Sequence, residues 1–195
     1  ICLYGVNGED VAASANQADW YAVNMFDNLI VNNVAGYAGG GIAMTDAARV
    51  NIIHNSVANN DSAATAQSAF ATGATDSTPQ GAGIVSFLHT SLFAAASGQT
   101  ISSPALYDSI IWHNRSFYYN RITQSLFPAP GSPYNDLKTP TGQPLLNPRN
   151  CILTSVTGYH SSNLATNPLF IVNYTNVLTA AAVIDEAGNN INVRF

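Results

Sequence analysis

Apolar residues in this chain come in short runs that close on asparagine. DNLIVNN (27–33), HNSVANN (54–60) and DSIIWHN (108–114) each open on a polar residue, carry aliphatics in the middle and end in Asn. The closing residues are Asn33, Asn60 and Asn114; the first interval is 27 residues and the second 54, one period and twice that period. In this register Met25, Ile52 and Leu106 share a column, as do Phe26, Ile53 and Tyr107, and Ile30, Val57 and Ile111. A second landmark, GGGI (39–42) and then GAGI (81–84), precedes the phrase and divides the longer interval into one period that carries two insertions. Those insertions are read at about 61–80 and 94–100, both small, polar and punctuated by Gly or Pro. A third, at about 115–149, holds six of the nine prolines and is expected to cross the surface as extended or turning chain with little regular structure. NCIL (150–153) then echoes DSII (108–111) as a more divergent fourth rung.

A period in the twenties admits leucine-rich repeats or stacked β-coils. The aligned columns carry Met, Ile, Phe, Val and Tyr where LxxLxL would need leucines, so the first architecture fails. Short β-branched runs bounded by Asn and Gly, without a 3.6-residue apolar period over ten or more residues, predict strands and corners in parallel coils. Successive coils lie ~4.8 Å apart, so like apolar side chains stack into one core. Asn33, Asn60 and Asn114 are then predicted to form an asparagine ladder, each at a left-handed corner with its amide bonded to the next. Gly39, Gly40, Gly41, Gly81 and Gly83 suit positive φ or close backbone approach.

Composition narrows the partners. The 195 residues are 47% hydrophobic and only 9% charged, with a net charge of −5, so 22 asparagines together with Ser, Thr and Gln must solvate the surface. The six basic residues are scattered and offer no stripe to follow a phosphate backbone, which argues against nucleic acid. No apolar run approaches the ~20 residues that cross a bilayer as a helix. Cys2 and Cys151, lying near opposite ends of the proposed stack, are expected as free, buried thiols, and without CxxC or CxxCH there is no argument for a zinc knuckle or a c-type haem. No cofactor is implied. The sequence starts at Ile1 without a leader pattern and is expected to be a processed product or a piece of a longer chain.

The Asn-ending strands, GGGI, GAGI and SIIWHN, over roughly 20–172, resemble bacterial right-handed parallel β-helix repeat proteins, the group that includes pectate-lyase-like folds and polymorphic surface proteins. NPLFIVNYTN (167–176) is similar to the close of such repeat regions. The resemblance implies an all-β, right-handed parallel β-helix of about four to five coils over residues 1–172, with 173–195 as a tail or the start of a following module. It also implies an extracellular or cell-surface setting, and either a non-catalytic scaffold, stalk or adhesin-like surface or, as the alternative, a carbohydrate-active enzyme or carbohydrate-binding module. The implied partners are the remainder of a parent chain or another surface protein covering the coil ends, and, in the alternative, a polysaccharide. Two uncapped ends would make the isolated chain associate end to end.

The enzymes of that group characteristically use clustered acidic Ca²⁺ ligands with an Arg or Lys base, or clustered Asp residues. Their Asn-Thr-Asp, paired-Asp, Gly-His-Gly and Arg-x-Pro-x-x-Arg elements do not occur here, so no catalytic residue is assigned. The strongest local constellation is the column Asp27, His54, Asp108, close enough on successive coils to meet a ligand or to do acid–base work, or else polar because it turns a solvent-facing corner. Asp46 in TDAA suits a turn or cap without an identifiable partner. Adjacent Asp185 and Glu186 point to opposite faces of a strand. His89, His113 and His160 fall at no metal-ligand spacing. Trp20, Trp112, Tyr118, Tyr119 and Tyr159 have faces suited to sugar rings, or to packing. Asn60-Asp-Ser, Asn114-Arg-Ser and Asn173-Tyr-Thr match the glycan acceptor pattern.

Overall fold

A computed structural model describes residues 1–171, 174, 177 and 178. Among these the chain is mostly β-sheet with two short α-helices. The runs anticipated above become strands because each alternates an inward apolar side chain with an outward one. In chain order they are β1 (Cys2–Tyr4), β2 (Val23–Phe26), β3 (Leu29–Val31), β4 (Val34–Ala35), β5 (Ile42–Thr45), β6 (Val50–Ile53), β7 (Ser56–Ala58) and β8 (Asp61–Ser62). There follow β9 (Ile84–Ser86), β10 (Ala105–Tyr107), β11 (Ile110–Trp112), β12 (Arg115–Asn120), β13 (Ser125–Pro128), β14 (Leu137–Lys138) and β15 (Ile152–Leu153).

Four sheets collect these strands in the orders β1-β5-β9-β14, β2-β6-β10, β3-β7-β11-β15 and β4-β8-β12-β13. Every pairing between passes is parallel, and β12–β13 is an antiparallel hairpin. The chain thus visits the four sheets in turn through β5, β6, β7 and β8, and again through β9, β10, β11 and β12. The register equals the sequence alignment: Met25 lies against Ile52 and Ile52 against Leu106, while Ile30 lies against Val57, Val57 against Ile111 and Ile111 against Leu153. These side chains, with Ile42, Met44 and Ile84, form one buried core.

The glycines of GGGI and GAGI serve close approach. A Cβ on Gly41 would stand 2.7 Å from the Gly83 carbonyl oxygen, and one on Gly83 would stand 2.3 Å from that of Asp136, so successive passes meet there backbone to backbone.

The insertions hold more order than their composition suggests. Helix α1 (Gly8–Ala13) follows β1, and α2 (Ser91–Ser97) occupies the insertion between β9 and β10. Val11, Trp20, Ala48 and Phe93 pack together as a small second core. The proline-rich stretch 115–149 is corrected in the same sense: it opens with the β12–β13 hairpin and returns β14 to the stack. Apart from Pro128, which ends β13, its prolines lie outside the strands, where a lost N–H costs no ladder bond. One thiol is corrected as well. Cys151 is buried, whereas Cys2 sits on an edge strand and is exposed.

Candidate functional site

Residues one pass apart stand side by side, so each corner of the stack is a column of aligned residues. At the corner between the second and third sheets, Asp27, His54 and Asp108 come together: His54 Nδ1 is 3.8 Å from Asp27 Oδ1, and His54 Nε2 is 3.8 Å from Asp108 Oδ2. Both gaps exceed hydrogen-bond length, and all three side chains are exposed. Their backbones explain the residue types. Asp27, His54, Asp108 and Asn150 all lie in the left-handed region, with φ of 55°, 57°, 49° and 54°, where Asp, Asn and His are tolerated and β-branched residues are strained.

The asparagine ladder is continuous. Asn33 Nδ2 donates to Asn60 Oδ1 at 2.8 Å, Asn60 Nδ2 to Asn114 Oδ1 at 2.9 Å, and Asn114 Nδ2 to Asp136 Oδ1 at 2.8 Å. The backbone N–H of each Asn donates to the same oxygen as its side chain. The left-handed positions, however, are one residue earlier than expected, at Asn32, Asn59 and His113. The ladder side chains must point inward to reach one another, which leaves the corner itself to the preceding residue. Asn60 and Asn114 are fully buried, so their glycan acceptor patterns are structurally inaccessible. Asn173 and the pair Asp185–Glu186 lie outside the described residues.

A second ladder was not read from the sequence. Asn28 Nδ2 donates to Asn55 Oδ1 at 2.9 Å, the Asn55 N–H to Ser109 Oγ at 3.1 Å, and further on the Cys151 N–H to Asn163 Oδ1 at 3.0 Å. The alignment by 27 and 54 already placed Asn28, Asn55 and Ser109 in one column; the change of side chain at the third rung concealed it. The same alignment pairs Asp61 with Arg115, which form a two-toothed ion pair at 2.8 and 2.7 Å with the Asp61 side chain fully buried. Hydrogen bonding to Asp61 raises the Arg115 guanidinium above its usual value.

The remaining polar candidates are engaged within the fold. Asp46 does have a partner: its carboxylate accepts the Thr90 N–H at 2.8 Å and the Thr90 hydroxyl at 2.9 Å, fixing the residue that caps α2. His89 lies within 3.1 Å of both the Gln99 carbonyl and Ser102 Oγ, but Ser102 is fully buried and accepts the Ala47 N–H, which makes the pair a brace. Burial lowers the His89 and His113 imidazoles below the usual value. Among the described residues no group of three or more His, Cys, Asp or Glu is placed to hold a metal ion.

Of the aromatic candidates, Trp20 and Tyr119 are buried, Tyr118 stacks on Phe127, and Tyr159 packs on the main core. Trp112 begins a surface stack: its ring centroid is 4.4 Å from that of His113, which is 4.2 Å from that of Tyr134. Asn59, Trp112, His113, Asn167, Leu169 and Phe170 line an open cleft of 290 Å³ beside it. No family model, curated protein or solved structure matches the chain.

Proposed function

We propose that this chain is a right-handed parallel β-helix whose role is structural: a non-catalytic scaffold, stalk or adhesin-like surface in an extracellular or cell-surface setting. The observation that supports it is the use of its polar groups. The ladder from Asn33 to Asp136, and the buried Asp61 bonded to Arg115, direct side chains of catalytic type into holding one pass on the next. Such ladders lend stiffness along the stack, as a stalk or presenting surface requires. Incubation with acidic and neutral polysaccharides, with and without Ca²⁺, is expected to yield no new reducing or unsaturated ends. Turnover in that assay would overturn the scaffold reading, and an experimental structure with left-handed crossovers would overturn the handedness.

The cleft beside Trp112 favours a second reading, a carbohydrate-binding module. An indole face next to the amides of Asn59 and Asn167 matches the apolar face and hydroxyls of a pyranose. Trp20 is buried, so a sugar bound at the cleft perturbs the emission of Trp112 alone. Oligosaccharide titration should then change the fluorescence of the parent chain and leave Trp112→Phe unmoved. A response that survives the substitution places the sugar elsewhere.

A further inference from the structure

The stack of Trp112, His113 and Tyr134 joins two clefts. Trp112 and His113 line the cleft described above, and Tyr134, the third ring, lines a second cleft of 220 Å³ together with Asn135, Asp136, Thr157 and Tyr159. One imidazole therefore separates the indole at the first cleft from the phenol ring at the second. Trp112 is half-buried and Tyr134 exposed. Each cleft also holds polar groups that the fold does not use. Asn59 in the first, and Asn135 and Tyr159 in the second, are half-buried, yet neither side-chain amide nor the Tyr159 hydroxyl makes a hydrogen bond among the described residues. In all other cases, from Asn7 to Asn163, the side chain of a buried or half-buried asparagine among those residues is bonded within the fold. Asn59 turns a left-handed corner at a φ of 53°, which uses its backbone and leaves its amide free to meet a ligand.

We propose that the two clefts are neighbouring subsites for one neutral oligosaccharide that crosses the aromatic stack. The inference rests on the carbohydrate-binding reading of the first cleft and extends it to the second. Sugar rings offer an apolar face to Trp112 and Tyr134, and hydroxyls to the two amides and the Tyr159 phenol. Charge selects the class of sugar. No Lys or Arg lines either cleft, and burial lowers His113, the basic group there, below the usual imidazole value. The carboxylate of the second cleft, Asp136, already accepts from Asn114 through one oxygen and from Thr154 through the other. A uronate would enter beside that carboxylate with no cation to pair with, in a chain whose net charge is −5. A neutral hexose or N-acetylhexosamine meets no such cost.

Trp112 reports binding at the first cleft, because the other tryptophan, Trp20, is buried. The full chain is screened on an array of neutral and uronate-containing glycans, and the best neutral binder is titrated as a length series from disaccharide to octasaccharide, read by Trp112 fluorescence. Affinity should rise about tenfold or more with length as the second cleft fills. Asn135→Ala and Tyr159→Phe remove groups that have no hydrogen-bond partner among the described residues. Each should weaken the longest oligomer about three- to tenfold and leave the disaccharide unchanged, with unchanged thermal midpoints showing both variants to be folded. Tighter binding of uronates, an affinity that does not grow with length, or equal weakening of short and long oligomers overturns the proposal. The two readings fail separately. Length-independent binding that still perturbs Trp112 keeps the first cleft as a site and discards the second, whereas no Trp112 response to any glycan discards both.

Discussion

A buried asparagine amide that accepts from the earlier pass through its oxygen and donates to both neighbouring passes through its nitrogen cannot be replaced by a residue that does only one of these. Asn60→Ala removes Nδ2 from Ile30 and Asn114 and Oδ1 from Asn33, and should cost about 1–3 kcal/mol. Thermal unfolding reads this as a drop of about 2–4 °C for each kcal/mol in a chain of this size; an unchanged midpoint would mean that water replaces the amide. Val57 has no exposed surface and lies between Ile30 and Ile111. Val57→Asp places an unpaired charge in that column and should destabilise by about 3 kcal/mol or more, with full retention of stability contradicting the assignment of inward columns. The two thiols should separate kinetically. Exposed Cys2 is expected to react at once with a thiol reagent and buried Cys151 only on unfolding, since burial also holds its thiol proton on.

At the scale of elements, the insertions are secured to the stack by particular caps. Helix α2 begins at Thr90, whose side chain accepts the Phe93 N–H, and ends at Gly98 with a φ of 68°. Thr90 is held in turn by Asp46, 44 residues earlier. Thr90→Ala should cost about 1 kcal/mol, and proteolysis between 87 and 104 should speed up before the stack itself unfolds. Cleavage that waits for global unfolding would show the helix to be part of the same cooperative unit. The signals were local and legible, a Thr before SLFAAAS and a Gly after it, yet seven residues carry too little periodicity to outweigh the small, polar composition of a loop. The β12–β13 hairpin was hidden differently. Its pairing depends on Arg115 and Ser116 already being fixed against Asp61 and Ser62 in the preceding pass.

For the whole molecule, far-UV circular dichroism should show strand and irregular structure with little helix; a helix-dominated spectrum would contradict the fold. Stability should vary with pH in two opposed senses. Burial lowers the His89 and His113 imidazoles, so the unfolded chain takes up these protons first on acidification, and their contribution, complete above a pH of about 6.5, is lost as pH falls. Burial raises the Asp136 carboxyl against the pull of donors from Thr154 and Asn114. Its contribution is fully present below a pH of about 3.9 and is lost as pH rises through its folded value. Denaturant melts across this range should show the slope below pH about 6.5 reduced in His113→Asn, which keeps a residue tolerant of the left-handed backbone at φ 53°. An unaltered slope would exclude His113 as a source.

The sequence by itself determined the repeat and its register. A period-two apolar pattern and a fixed interval leave few ways to stack Met25, Ile52 and Leu106, and a slip of one residue would turn every core side chain outward. It also marked the polar columns, because a residue that must turn a corner or bond to its image one pass away is restricted in type. What those columns do was decided only by the tertiary structure. The left-handed angles fall at Asn32, Asn59 and His113 and not at the ladder itself, and the order of the insertions depends on partners tens of residues distant, as for Asp46 with Thr90 and Asp61 with Arg115. The closure of the Asn114 column by Asp136 follows the same rule. Asp136 reaches that column from the far side of a hairpin, through a path that no periodicity in the chain records.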